Sequence, residues 1–439
     1  MSHADASHNF RTVSIGIMSS RILSIRLDGG YSFNGVHFNG EEKLEAEGKF
    51  VRFAGETCDA VIFVPDSDDS RFTLHGVTIG KKFHWERKED EQFAGILKII
   101  NVDNQLQAIN ITNVEDYLLS VISSEMSCNA PLEYLKTQAV VSRSWLIRLK
   151  NQRLKDNSAK STEARDEVEG IPRIIKYYEN DAHTYFDVCA DDHCQRYEGI
   201  TKVNNSNAVR AIEETKGEVL SYDGEICDAR FSKCCGGVTE RFSACWEDHD
   251  KNYLRPISDS DNSDSIPDLT TENGAELWIM SAPAAFCNVR KKEVLCSVLN
   301  DYDVETQNFY RWKVEYEIEE LSSLFRSKST IDVGEISDLL PLKRGASGRI
   351  IELLVVGDKG KVIIGKELEI RRLLSSSHLL SSAFIVKKVQ NKFTLYGAGW
   401  GHGVGLCQIG AAAMAVRGIG YKQILAHYFK DSQITNIYE

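Results

Sequence analysis

Glu125 and Arg143 are charged residues at positions where the surrounding pattern calls for apolar ones. Between Val114 and Lys150 the periodicity predicts two helices. Val114, Tyr117, Leu118, Val121 and Ile122 recur at helical spacing, and Glu125 falls on the same stripe, four residues after Val121. On the second helix Leu132, Leu135, Ala139 and Leu146 form the apolar face, which Arg143 shares. Thr112 and Glu115 suit a capping box at the start of the first helix, and Pro131 suits the first turn of the second. A carboxyl in apolar surroundings holds its proton to higher pH, as a general acid working near neutrality requires. The competing reading is a structural ion pair between Glu125 and Arg143 at a helix–helix contact.

A second group with chemical capacity is HTYFDVCADDHC, which places His183, Cys189 and Cys194 within twelve residues, with His193 beside the last cysteine. Imidazole and thiolate suit tetrahedral zinc, although the spacing is not that of a zinc finger. Buried free thiols and one local disulfide are the alternatives. The glycine-rich run Gly397–Gly405 matches neither a P-loop nor a dinucleotide fingerprint, so a phosphate cradle is rejected. Alternating glycines instead let a backbone pass close beneath an extended ligand, with His402 and Gln408 projecting polar groups there. Taken alone, His402 also reads as a satisfied core histidine.

The elements that must position these groups form a mixed α+β fold. Ser14–Met18, Ile25–Leu27, Ala60–Val64, Phe72–Leu74 and Leu97–Val102 are short β-prone runs between Gly, Asn and Asp turns. Lys155–Gly170 reads as a solvated loop and Ile257–Gly274 as a mobile connection. Helical patterns return around Ala275–Met280 and Ile318–Arg326, and strands in IIELLVV, KVIIG and SAFIVKKV after Arg349. The expected organisation is a β-rich unit over 1–110, a catalytic core over 111–256 and 340–439, and an inserted or peripheral segment over 257–339. The body is thus strand-rich, with a helical catalytic segment inserted into it and a long substrate cleft.

With 439 residues, 42% of them hydrophobic, the chain can bury a substantial core. A net charge of −12 and the lack of a long basic stripe argue against nucleic-acid binding. No run approaches the length of a transmembrane helix, and the first twenty residues lack a secretory leader pattern, so composition places the chain in the cytoplasm. Eleven cysteines in no regular framework favour reduced thiols.

The segments EDYLLSVISSEM, LEYLKTQAVVSRSWLI and GHGVGLCQIGAAAMAVRGIGYKQILAHYF carry a resemblance. Between them, in matching order, stand FSKCCGGVTE (Phe231–Glu240), FYRWKV (Phe309–Val314), RGASGRI (Arg344–Ile350) and SSAF (Ser381–Phe384). Together they closely resemble the SpoIID/LytB family, named for a stage II sporulation protein and an amidase enhancer, over roughly residues 95 to 439. Cys407 and Ile409 depart from the more usual serine and tryptophan, Ser142, Ser144 and Trp145 from Ala and Thr–Tyr around Arg143, and Leu119 from a frequent glycine.

The resemblance implies a lytic transglycosylase that cuts peptide-stripped glycan strands between N-acetylmuramic acid and N-acetylglucosamine. Glu125 corresponds to the acid, and Arg143 would steady it or the substrate. Gln138, Ser232, Gly236, Gly237, Thr239, His402 and Gln408 would line the substrate site. Of Trp246, Trp312 and Trp400, the last is the candidate for stacking on a sugar face. Some members hold zinc through one histidine and two nearby cysteines, matching His183, Cys189 and Cys194, in a structural more than a catalytic role; no organic cofactor is implied. The implied partners are peptidoglycan glycan strands and a cell-wall amidase, in the cell envelope, which is at odds with the missing leader. Two other readings stand beside it: a noncatalytic glycan-binding module that enhances an amidase, and a zinc-dependent hydrolase centred on His183, Cys189 and Cys194.

Overall fold

The computed structural model of the chain describes residues 11–80, 86–155, 162–178, 183–203, 205–261, 266–300, 303 and 308–439. Parts of the two expected connections, 156–161 and 262–265, lie outside these. The fold is mixed α+β and strand-rich, with several sheets. The chain forms two compact units, one of Met1–Asn157 with Ala182–Gly217 and one of Ser158–Asp181 with Glu218–Glu439.

The first unit is built on strands β1 (Thr12–Ser20), β2 (Ile22–Phe33), β3 (Val36–Glu47), β4 (Phe50–Phe53), β5 (Glu56–Cys58), β6 (Ala60–Pro65), β7 (Arg71–Ile79), β8 (Arg87–Ala94), β9 (Ile96–Val102) and β10 (Gln105–Asn113). Alternating side chains explain the sheet: Val13, Ile15 and Ile17 of β1 point inward, as do Leu23, Ile25 and Leu27 of β2. The main path runs β1, β10, β9, β6, β2, β3, β4, β5, with β7 paired to β2 and β8. All five β-prone runs of the sequence fall within these strands. Beyond β1, the two residues Val188–Cys189 add a parallel strand, Ile15 facing Val188 and Gly16 facing Cys189. This pairing fixes the cysteine-bearing loop to the sheet.

Two helices follow, α1 (Val114–Glu125) and α2 (Leu132–Lys155). A third, α3 (Ser206–Glu214), packs against both. Helix α1 begins where β10 ends, without a loop. Its cap differs from the expected box: Asn113 is the N-cap, its side chain accepting from the Asp116 N–H at 2.8 Å. Thr112 stays in the β10 ladder opposite Val13, and Glu115 is turned to another use described below.

The second unit carries a five-stranded sheet in the order Thr162–Val168, Ile171–Tyr177, Gly360–Gly365, Ile350–Gly357, Ile336–Arg344. Within the stretch read as a solvated loop, Thr162–Val168 is therefore a strand. All seven of its residues are exposed, and its order comes from the antiparallel ladder to Ile171–Tyr177 rather than from burial of its own side chains. A three-stranded sheet, Arg311–Glu317, Lys392–Ala398 and Phe384–Val389, shares a core with helix Ile318–Lys328 through Trp312, Leu321, Phe325, Leu353, Phe384 and Leu395. A parallel pair, Phe231–Ser232 with Leu406–Cys407, brings the cysteine-glycine block beside the glycine-rich run. No helix among the described residues is long and apolar enough to cross a membrane.

Candidate functional site

Glu125 is the last residue of α1 and only 7% exposed. Helical spacing from Val121 and Ile122 carries it inward as the sequence pattern requires. Its Oε1 accepts the backbone N–H of Arg196 at 3.0 Å. The Arg196 side chain turns away to Asp192, with Nε donating at 2.6 Å. Arg143 is fully buried on α2, but its fork closes on Glu115, Nε to Oε1 at 3.0 Å and Nη2 to Oε2 at 2.5 Å. This bidentate pair ties the first turn of α1 to α2. Gln138, also fully buried, lies in a ladder along α2: Tyr134 donates to its Oε1 at 3.2 Å, and its Nε2 donates to Ser142 at 3.1 Å.

The histidine–cysteine loop leads into the segment that meets this carboxyl, through the Arg196 N–H. His183, Cys189, His193 and Cys194 each offer one ligand atom, and all four atoms lie within 4.8 Å of one another. His183 Nε2 is 3.4 Å from Cys194 Sγ, while His193 Nδ1 is 3.5 Å from Cys194 Sγ and 3.8 Å from Cys189 Sγ. Nitrogen and sulfur ligands on tetrahedral zinc stand about 3.6 Å apart, so the donor set fits that ion. Hydrogen bonding from Cys194 and the two imidazoles draws the Cys189 thiol well down, and the Cys189 partner pushes the Cys194 thiol up. None of the eleven cysteines forms a disulfide, those of the loop included. Two residues past Cys194, the backbone reaches Glu125 through Arg196. Tyr197 then donates its hydroxyl to Asn110 at 2.6 Å and stacks on Tyr117, whose own buried hydroxyl has no hydrogen-bond partner among the described residues.

The remaining candidates belong to the second unit. Ser232 Oγ accepts from the Gly403 N–H at 3.2 Å, and Thr239 Oγ1 accepts from the Ile257 N–H at 2.9 Å. Gly236 and Gly237 take φ of +84° and +106°. Gln408 opens the helix Gln408–Val416 and is 1% exposed. Only Trp400 and His402 among these candidates are half-buried; the others are buried. The His402 Nδ1 accepts from the Val404 N–H at 3.0 Å, which assigns the proton of the neutral ring to Nε2. Burial, then the charges of Arg230 and Arg349, hold its pKa well below the usual histidine range. Trp246 meets this ring edge-on at 4.8 Å, whereas Trp312 is a core residue.

The glycines of the run answer to the protein's own atoms. A Cβ on Gly403 would lie 2.5 Å from the Arg349 guanidinium, and one on Gly397 would lie 2.1 Å from the Trp312 ring. Arg349, fully buried, donates to Gly401 O at 3.0 Å, to Cys235 O at 3.1 Å and to Ser347 Oγ at 2.8 Å. Ser347 in turn donates to buried Glu240 at 2.6 Å. At these two positions the close approach is made by the protein's own side chains, the Arg349 guanidinium at Gly403 and the Trp312 ring at Gly397. Arg196 and Arg349 carry no pattern signal of their own, while the sequence marks Glu115 only as a capping residue and His193 only as the neighbour of Cys194. His193 and Arg349 stand inside quoted motifs, whereas Arg196 acts through a backbone N–H that leaves no trace in residue type.

Residues 102–222 match the family described as Stage II sporulation protein, and 240–405 match a domain of unknown function, DUF8618. An uncharacterized protein of Brachyspira hyodysenteriae is 24% identical over 365 residues, 83% of this chain and 74% of that protein. An amidase enhancer of Bacillus subtilis is 24% identical over 344 residues, 73% of this chain but 40% of that longer protein. A stage II sporulation protein D of Bacillus amyloliquefaciens is 24% identical over 322 residues, 73% of this chain and 74% of that protein.

Proposed function

The chain belongs to the SpoIID/LytB family, and from that premise we propose that it acts on the cell wall as a lytic transglycosylase, cutting peptide-stripped glycan strands to leave anhydro-muramyl ends. The observation that carries this reading is the setting of Glu125: withdrawn from water and fixed at one oxygen by a backbone N–H. Low exposure is the environment in which a carboxyl keeps a proton to donate. Glu125 would protonate the glycosidic oxygen as the bond to the muramyl C1 breaks. As carboxylate it would then take the proton of the muramyl C6 hydroxyl while that oxygen closes on C1. No water is consumed, so the second carboxylate of ordinary glycosidases is dispensable.

Arg143 in this reading is a positioning residue: it ties to α2 the first turn of α1, the helix whose far end carries Glu125. His183, Cys189, Cys194 and His193 would hold zinc, which supplies a crosslink when bound; the loop then presents the Arg196 N–H to Glu125. Among the sequence-predicted substrate-site residues of the second unit, Trp400 and His402 are the two left half-buried, and they would be the ones to meet a sugar. The strand-rich body would present a long cleft to the polymer, and the protein would work in the cell envelope.

A second reading is favoured by the similarity to an amidase enhancer: the site binds glycan strands without cutting them and serves a cell-wall amidase. The experiment that separates the two is incubation with peptide-free glycan strands, products read by mass spectrometry, alongside Glu125→Gln. Anhydro-muramyl ends from the unmodified protein alone support the enzyme. Strand binding without cleavage by either protein supports the enhancer.

A further inference from the structure

Four residues from widely separated segments of the second unit, Cys235, Asp259, Cys287 and Cys407, bring three sulfurs and a carboxylate oxygen within 4.8 Å of one another. All four are buried, with exposures of 2%, 0%, 0% and 0%. The Cys235 and Cys287 sulfurs are 3.7 Å apart, far beyond the roughly 2 Å of a disulfide. Two thiolates bound about 2.3 Å from a tetrahedral zinc stand about 3.8 Å apart. From this geometry we infer a second metal site, a buried zinc centre with three thiolate ligands and one carboxylate, independent of the His183 loop and of the glycan reading.

The surroundings are those of ligands held in place. The Cys235 N–H points to Cys407 Sγ at 3.2 Å and the Gly237 N–H to Cys235 Sγ at 3.4 Å, the backbone donors that thiolates around a metal attract. Asp259 is oriented from both sides, Oδ2 by the Cys287 N–H at 3.0 Å and Oδ1 by the Tyr428 hydroxyl at 2.5 Å. Gly410 keeps that approach open, since a Cβ there would lie 2.6 Å from Asp259 Oδ1. Three thiols and one carboxyl make an unusual core: a polar acid wholly removed from water is costly unless it is paired or bound to metal. Soft sulfur ligands in a closed four-coordinate set select zinc over magnesium or calcium. On binding, the thiol protons leave to solvent and no electron moves.

The position gives the site a purpose. Cys235 precedes Gly236 and Gly237, and Cys407 precedes Gln408, so the metal would fasten the Phe231–Thr239 turn to the end of the glycine-rich run. Asp259 and Cys287 add two of the long connections to the same point.

The test uses the full chain with Cys189→Ser and Cys194→Ser, which removes both thiols of the other cluster. Elemental mass spectrometry after purification in zinc is expected to give one metal per folded chain. Cobalt substitution is expected to give sulfur-to-metal charge-transfer absorption. Adding Cys287→Ser should weaken zinc by at least about tenfold and lower that absorption. A folded double variant that holds no zinc or cobalt overturns the proposal, as does a metal whose spectrum is unchanged by Cys287→Ser. Should Cys287→Ser fail to fold, metal content and cobalt spectrum of the parent decide. Should the parent fail to fold, two metals per unmodified chain support the site, and fewer overturn it.

Discussion

Arg143 and Glu115 form a two-point ion pair between α2 and the first turn of α1, with the guanidinium wholly buried and the carboxylate 14% exposed. The pair explains how an arginine can stand on an apolar stripe: its charge is met by a carboxylate at the start of α1. Removing one partner of such a pair strands a buried charge. Glu115→Gln is expected to destabilise the first unit by about 3 kcal/mol, read as a lower urea midpoint. Glu115→Gln with Arg143→Met should recover most of that loss; failure to recover would mean that Arg143 is held mainly by other contacts.

Glu125→Gln keeps an oxygen able to accept the Arg196 N–H. Its stability should therefore change by less than about 1 kcal/mol. Turnover of glycan strands should fall by about a hundred- to ten-thousand-fold, the range of a positioned proton donor. Denaturation and product release measured on the same sample check both statements.

If the His183 cluster holds zinc, its removal would reach Glu125 through the backbone that runs from Cys194 to Arg196. Zinc removal, or His183→Ala, should lower turnover by about ten- to a hundredfold while the acid remains in place. Complete loss on chelation together with full activity of Glu125→Gln would instead place the chemistry at the metal.

Gly403 and Gly418 both hold left-handed φ, +77° and +83°, but only Gly403 faces a buried guanidinium. Gly418→Ala should cost about 1 kcal/mol, the conformational penalty alone. Gly403→Ala should cost more than about 3 kcal/mol, because Arg349 is hydrogen-bonded on several sides and has little room to yield. Equal thermal shifts in the two variants would show that the loop can move away.

His75, on β7, is bound by Asp90 at 2.8 Å and Glu41 at 3.1 Å, and hydrogen bonding to Asp90 raises its pKa above the ordinary 6.5. A raised folded value means that the protonated ring favours the folded state. That contribution is complete below the unfolded value and disappears as pH rises through the folded one. Relative to His75→Gln, the unmodified protein should be more stable at about pH 5.5 and lose that advantage by about pH 8.5. A constant difference across the range would contradict the assignment.

Much of the first unit was legible because its strands alternate strictly and its helices carry single charged intruders on apolar stripes. The partner of Arg143 was not legible: Glu115 and Glu125 both lie on α1, and only the tertiary crossing decides which of them meets α2. The capping box was read one residue early because Thr112 and Asn113 are both good caps, and the β10 ladder claimed the first. Thr162–Val168 escaped because a strand exposed on both faces has no hydrophobic period. The Asp259 cluster was invisible for a related reason, since four ligands from four distant segments make no motif.

That exposed strand closes one end of its sheet and carries Glu163, Asp166 and Glu167. An outermost strand with unsatisfied amides invites a second molecule to add alongside, and negative charge on it makes that addition unfavourable. The charged side chains on this edge, acids partly paired with Arg165 and Arg173, thus disfavour the fibre-like addition of a second copy.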